Sequence, residues 1–152
     1  MEKQELAAKK VIGIWVRTTN HEEQALTDIV ALWGRFMAED VMSKIPNLIG
    51  SEIYSIYTEY EGDFTKPYTT VLACEVSSLD DIPEGMKGLE IGGGTYAKFM
   101  AKGNLDEGAV GNTWMEIWKS GADRRYTTDF EVFGAKSQDR TNAEVDIFVA
   151  VN

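Results

Sequence analysis

The sequence predicts an α+β fold written as two copies of a β-α-β-β unit related by a pseudo-two-fold axis. Three observations carry that prediction. A strand-like alternation opens each half, at Val11 to Arg17 and at Gly94 to Ala101. An asparagine follows each strand with a glutamate three positions on, Asn20 with Glu23 and Asn104 with Glu107, so the two expected helix caps lie 84 positions apart. An amphipathic helical stretch and two further strands then follow in each half. The expected sheet is largely antiparallel, with helices on one side and a central cleft.

In the first strand, Ile12, Ile14 and Val16 share one face, and Gly13, Trp15 and Arg17 the other. The helix after Asn20 carries Leu26, Ile29, Val30, Trp33 and Met37 at helical spacing, an expected core stripe. It should run to about Ser43, because Ile45-Pro46-Asn47 breaks it. Ile49 to Tyr60 and Tyr68 to Val76 are the next strands, joined through the turn residues Glu61 to Pro67. Ser77 to Gly88 reads as a loop. The second helix bears Val110, Trp114, Ile117 and Trp118 and ends near Gly121. Strands at about Thr128 to Phe133 and Glu144 to Val151 complete the chain.

Length and charge bound the function. A chain of 152 residues, 43% hydrophobic, fits one domain over 1–152, with pseudo-repeats at about 10–77 and 93–152. A net charge of -10 and a pI near 4.6 argue against direct nucleic-acid binding, which needs a basic stripe. The single cysteine, Cys74, excludes an intramolecular disulfide and any cysteine-cluster metal site. Met1 to Lys10 lacks the apolar core of a signal peptide, and no apolar run approaches the ~20 residues that span a bilayer. The expectation is a soluble cytoplasmic protein without membrane contact.

The chemistry centres on Asp129-Phe130-Glu131-Val132-Phe133. Alternation puts Phe130 and Val132 on one face, expected to pack under the helices, and Glu131 with Phe133 on the other. Glutamate is almost never fully buried unpaired, so Glu131 either meets water or floors a pocket. The aromatic load favours the pocket: Trp15, Tyr68, Tyr96 and Tyr126 accompany the Tyr54 to Tyr60 segment, whose register leaves Tyr54 and Tyr57 as alternatives. Trp114 is expected in the core, whereas Trp118 can reach the cleft; Met115 and Glu116 fall in solvent. Aromatic walls around a carboxylate suit an organic cation, each cation–π contact contributing about 0.5–2 kcal/mol. The candidate ligand-binding set is therefore Glu131, Trp15, Tyr54, Tyr68, Tyr126, Phe133, Trp118 and Tyr96.

Other chemistries find little support. Gly92-Gly93-Gly94 lacks phosphate-loop spacing and precedes a strand. His21 is the only histidine, so neither a transition-metal site nor a Ser-His-Asp arrangement is expected, and no catalytic residue, metal or cofactor is assigned.

Gly13-Ile14-Trp15-Val16, the run from Tyr60-Glu61-Gly62-Asp63 to Tyr68-Thr69, the Trp114…Ile117-Trp118 helix and Asp129 to Phe133 together resemble the gyrase-inhibitor-like effector-binding domain, also seen on AraC-type and MerR-type regulators. The resemblance covers essentially the whole chain and extends to stand-alone integron-cassette members. It implies a tandem β-α-β-β dyad and a central pocket that binds cationic amphipathic drugs, with Glu131 matching the family's strand glutamate. It also implies three roles: non-enzymatic drug binding, with use in transcription regulation or sequestration; hydrolysis of strained electrophiles by the same glutamate; or a gyrase-inhibitor-like interaction module. No DNA-binding extension accompanies the repeats, so a regulatory role would need a DNA-binding partner chain. The oligomeric state is left open.

Overall fold

The computed structural model describes residues 2–152. Its strands are β1 (Glu2–Leu6), β2 (Lys9–Thr18), β3 (Ile53–Thr58), β4 (Tyr68–Val76), β5 (Lys87–Ile91), β6 (Gly94–Gly103), β7 (Thr128–Phe133) and β8 (Ala143–Ala150). The helices are α1 (Gln24–Ala38), α2 (Val41–Lys44) and α3 (Ala109–Lys119). All eight strands form one curled antiparallel sheet in the order β1-β6-β8-β7-β3-β4-β2-β5. The order is symmetric about the β3–β7 pair, where the two β-α-β-β halves meet. Each half also gains an edge strand, β1 on β6 and β5 on β2.

Those two edge strands depart from the sequence reading, which has no strand at Glu2–Leu6 or at Lys87–Ile91. Both carry Lys and Glu, and β5 a Gly as well, residues depleted in strands, and both pair on one side only, where charge is tolerated and useful.

The register settles which way each side chain points. Ile14, Leu72, Ser55, Glu131 and Ile147 form one row across five strands. Ile14 and Leu72 pack with Leu32 and Phe36 of α1, and Ile147 packs with Ile117 of α3. Glu131 therefore faces the helices, reversing the expectation that Phe130 and Val132 would. The next row, Trp15, Val71, Ile56, Phe130 and Phe148, lies on the opposite face. That face is buried because the sheet curls: Leu6 of β1 and Ile91 of β5 reach the same core cluster as Phe130 and Tyr96. The two-sided core follows from the curl, which no local pattern encodes.

Helix α1 is turned relative to its expected stripe. Ala25, Leu32 and Phe36 are buried, whereas Leu26, Val30 and Met37 are exposed. The helix stops at Ala38 rather than Ser43, because Asp40 takes a left-handed backbone (φ 48°) before the single turn of α2. The expected Asn20 cap does not form. Glu22 and Glu23 have positive φ, and the Asn20 side chain instead accepts from Tyr68 Oη at 2.7 Å and donates to the Phe64 carbonyl at 2.9 Å. Asn104 does cap, accepting from the Asp106 amide at 2.9 Å. Gly13 is required by close strand approach: a Cβ there would lie 1.9 Å from the Leu72 carbonyl oxygen. Among the described residues, no helix is long and apolar enough to cross a membrane.

Candidate functional site

Helix α1 packs over β2 and β4, and α3 over β6 and β8. The two helices part over the central strands β3 and β7, touching them only from the sides, as where Trp33 of α1 meets Phe133 and Trp114 of α3 meets Glu131. A cavity of about 290 Å³ opens in that gap, close to the lower end of ordinary ligand pockets. Glu131 of β7 and Tyr57 of β3 form its floor, and Leu26 and Val30 of α1 and Trp114 and Trp118 of α3 line its sides. The cleft thus lies between the helices, on their side of the sheet.

Glu131 is only 2% exposed, and both of its hydrogen bonds converge on Oε2. Trp114 Nε1 donates at 2.6 Å and Tyr57 Oη at 2.8 Å. Among the described residues no donor reaches Oε1. Burial raises the Glu131 pKa to about 7, the two donors holding it back from going higher. The carboxyl therefore stands near half-ionised at neutral pH. The Tyr57 hydroxyl is pushed well above its usual range by its own burial and by the neighbouring carboxylate, and stays a proton donor.

An aromatic shell continues outward from the floor. Tyr57 meets Trp114 edge-on at 5.5 Å and Tyr68 at 5.9 Å between ring centroids. Tyr60 leans on Tyr68 at 5.7 Å. At the rim, Phe64 from the β3–β4 connection stacks on Trp118 at 5.1 Å with planes 10° apart. Asn20 ties this rim to the wall, since its side chain bonds both the Tyr68 hydroxyl and the Phe64 carbonyl.

A second carboxylate stands two residues away on the same face of β7. Asp129 is fully buried and fully engaged: Oδ1 accepts from the Ala150 amide at 2.8 Å, while Oδ2 accepts from Tyr60 Oη at 2.5 Å and Arg124 Nη2 at 2.7 Å. Asp129 is ion-paired in place with Arg124, whereas Glu131 has no cationic partner among the described residues.

Of the sequence-derived candidates, Glu131, Tyr68 and Trp118 line the cavity. Trp15, Tyr54 and Tyr96 do not. They belong to the opposite face, where Tyr54 and Tyr96 are buried around Phe130 and Trp15 lies beneath the Lys87 ammonium. Strand parity relative to Glu131 puts them there. Phe133 shares the face of Glu131 but packs edge-on against Trp33 of α1 at 4.9 Å. Tyr126 sits behind Arg124, whose guanidinium is 4.3 Å from its ring centre. Tyr57, Tyr60, Phe64 and Arg124 were missing from the sequence-derived set, and Trp114 had been assigned to the core. The β3–β7 register, with Ser55 opposite Glu131, selects Tyr57 over Tyr54. The i, i+4 pair Trp114 and Trp118 was the local signal for the α3 wall. Among the described residues, no cluster of His, Cys, Asp and Glu is arranged to hold a metal ion.

A curled antiparallel sheet with a helix-flanked aromatic cavity defines a small-molecule effector-binding domain. The chain belongs to the Cass2 family of integron-associated effector binding proteins, whose family model matches residues 4–151. It is similar to YobU of Bacillus subtilis (strain 168), named as a candidate transcriptional regulator, at 27% identity over 150 residues, covering 96% of this chain and 94% of YobU. The integron cassette protein VCH_CASS2 from the mobile metagenome of Vibrio cholerae superposes with a TM-score of 0.76 at 29% identity, over 99% of this chain and 95% of that one. SAV2435, solved bound to tetraphenylphosphonium, shares the fold with a TM-score of 0.80 at 20% identity, over 99% of this chain and 93% of its own.

Proposed function

We propose that this protein binds hydrophobic organic cations, with Glu131 as counter-ion and the aromatic shell as the apolar surround. One observation carries the reading: a buried carboxylate whose Oε2 is held by Trp114 and Tyr57 while Oε1 remains free of protein donors. A buried anion is costly unless it is paired, and a ligand cation supplies the missing pair. The surrounding tyrosine and tryptophan faces attract diffuse positive charge and exclude water, which strengthens the attraction. The tetraphenylphosphonium bound to SAV2435 is a ligand of this chemical type, which adds support. Capture of such a cation serves drug sequestration or a regulatory response.

Calorimetric titration at pH 8 with tetraphenylphosphonium and with neutral triphenylphosphine oxide tests the reading. The phosphonium should bind about tenfold tighter or better. Equal affinities would remove the counter-ion role.

A second reading has its own observation. A carboxyl with a pKa of about 7 beside a tyrosine hydroxyl at 2.8 Å is suited to general-base activation of water on a strained electrophile. It predicts accelerated loss of a cyclopropanoid electrophile by wild type and none by Glu131→Gln; no acceleration by wild type discards it.

A further inference from the structure

Gly111 interrupts the α3 wall of the cavity. It sits within the helix, is exposed to solvent, and lines the same space as Glu131. A glycine weakens a helix relative to alanine, and the common reasons for keeping one are a positive φ or close packing. Neither holds here: its φ is not positive, and a Cβ on it would meet no atom within 4 Å outside its own helix. What the missing side chain leaves is an opening at the edge of the cavity.

Gly111, Trp114 and Trp118 fall at i, i+3 and i+7, on one stripe of α3. Trp114 holds Glu131 at 2.6 Å, and the surroundings on either side of it differ. Towards the C-terminus, Trp118 is stacked on Phe64, and a separate hollow bordered by the polar Asn20, His21, Glu22 and Thr65 adjoins that stack. Towards the N-terminus, Gly111 lies about 4.5 Å further along the axis with open space over it. Across the cavity, α1 presents Leu26 and Val30, which line it although they are 65% and 63% exposed. The apolar lining therefore continues past the mouth into solvent.

We propose that Gly111 is a specificity-determining residue, a notch that lets an apolar arm of the ligand leave the cavity and lie on the exposed lip of Leu26 and Val30. The preferred ligand is then a two-part molecule, a compact cation seated on Glu131 and a flexible hydrocarbon tail. This rests on the cation-binding reading of the same cavity and narrows it by shape. The tail gains affinity by taking apolar surface of the lip out of water, in proportion to the area covered. A larger residue at position 111 fills the notch and restricts the site to ligands that end inside the cavity.

Methyltriphenylphosphonium and decyltriphenylphosphonium share one cationic centre and differ only in the tail. Their binding is measured by calorimetry at pH 8 with wild type, Gly111→Leu and Gly34→Leu. Gly34 is an exposed glycine of α1 with equally open surroundings that does not line the cavity, so it controls for a leucine added to the surface. Leucine is a better helix former than glycine, so both variants keep the fold. Wild type should hold the decyl cation about tenfold tighter than the methyl one, or better. Gly111→Leu should weaken the decyl cation at least about fivefold more than the methyl one, and Gly34→Leu should leave both affinities as they are. No tail preference in wild type, a Gly111→Leu variant that treats the two cations alike, or the same selective loss in Gly34→Leu overturns the notch and leaves the cation pocket standing. A wild-type protein that binds neither cation overturns both.

Discussion

Trp114 Nε1 donates to Glu131 Oε2 at 2.6 Å, joining α3 to the central strand β7 across 17 positions of sequence. The bond does two jobs: it fixes the indole as a cavity wall and it favours the ionised carboxylate. Trp114→Phe keeps most of the wall and loses the donor. Removing a hydrogen bond to the charged form raises its pKa, so the Glu131 titration should move above 7. Cation affinity at pH 7 should fall about tenfold, matching a charge-assisted bond of roughly 1.5–3 kcal/mol, and should partly recover at pH 9. A loss of the same size at every pH would assign the tryptophan to packing alone.

The raised Glu131 pKa also sets a stability trend. The group stays protonated in the folded protein from its ordinary value of 4.5 up to about 7, whereas the unfolded chain has already released the proton. Its contribution is therefore intact below pH 4.5 and is lost as pH rises through about 7, at a total cost of about 3 kcal/mol. Glu131→Gln keeps an acceptor for Trp114 and Tyr57 and cannot ionise. Urea unfolding should show the variant gaining on wild type between pH 4.5 and pH 8, by up to about 3 kcal/mol. A difference that does not change with pH would mean that Glu131 titrates normally.

Asp129 and Arg124 form a buried pair at 2.7 Å, with side chains 0% and 5% exposed. Truncating one partner strands the other charge. Asp129→Asn should destabilise the protein by about 3–5 kcal/mol in chemical denaturation, and adding Arg124→Met should recover most of the loss. Additive effects would show that the two charges are not coupled.

Gly13→Ala should cost at least about 3 kcal/mol, because the added methyl meets the backbone of β4 rather than a side chain that can turn away. A melting temperature within a few degrees of wild type would show that β2 and β4 separate easily at this point.

Much of the architecture was legible because it is locally encoded. Alternation in Val11 to Arg17 and the Trp114–Trp118 spacing report the doubled β-α-β-β unit directly, whereas of the two matching asparagines only Asn104 caps. The edge strands β1 and β5 were not legible, since their stability comes from pairing rather than from their own residues. Glu131 itself stood out by its position in an apolar strand. Its companions did not. Whether Tyr54 or Tyr57 joins it depends on the β3–β7 register, and whether Phe130 or Glu131 meets the helices depends on the curl that buries the second face. Arg124 and Phe64 come from connections whose paths are set by tertiary contacts, Arg124 by Asp129 and Phe64 by the side chain of Asn20.

The counter-ion role of Glu131 is most directly tested by titrating tetraphenylphosphonium into wild type and Glu131→Gln across pH 5.5 to 8.5, following tryptophan fluorescence. Wild-type affinity should climb about tenfold per pH unit below 7 and level off above it, while Glu131→Gln should bind weakly at every pH. Equal affinities for the two proteins at pH 8 would contradict the account.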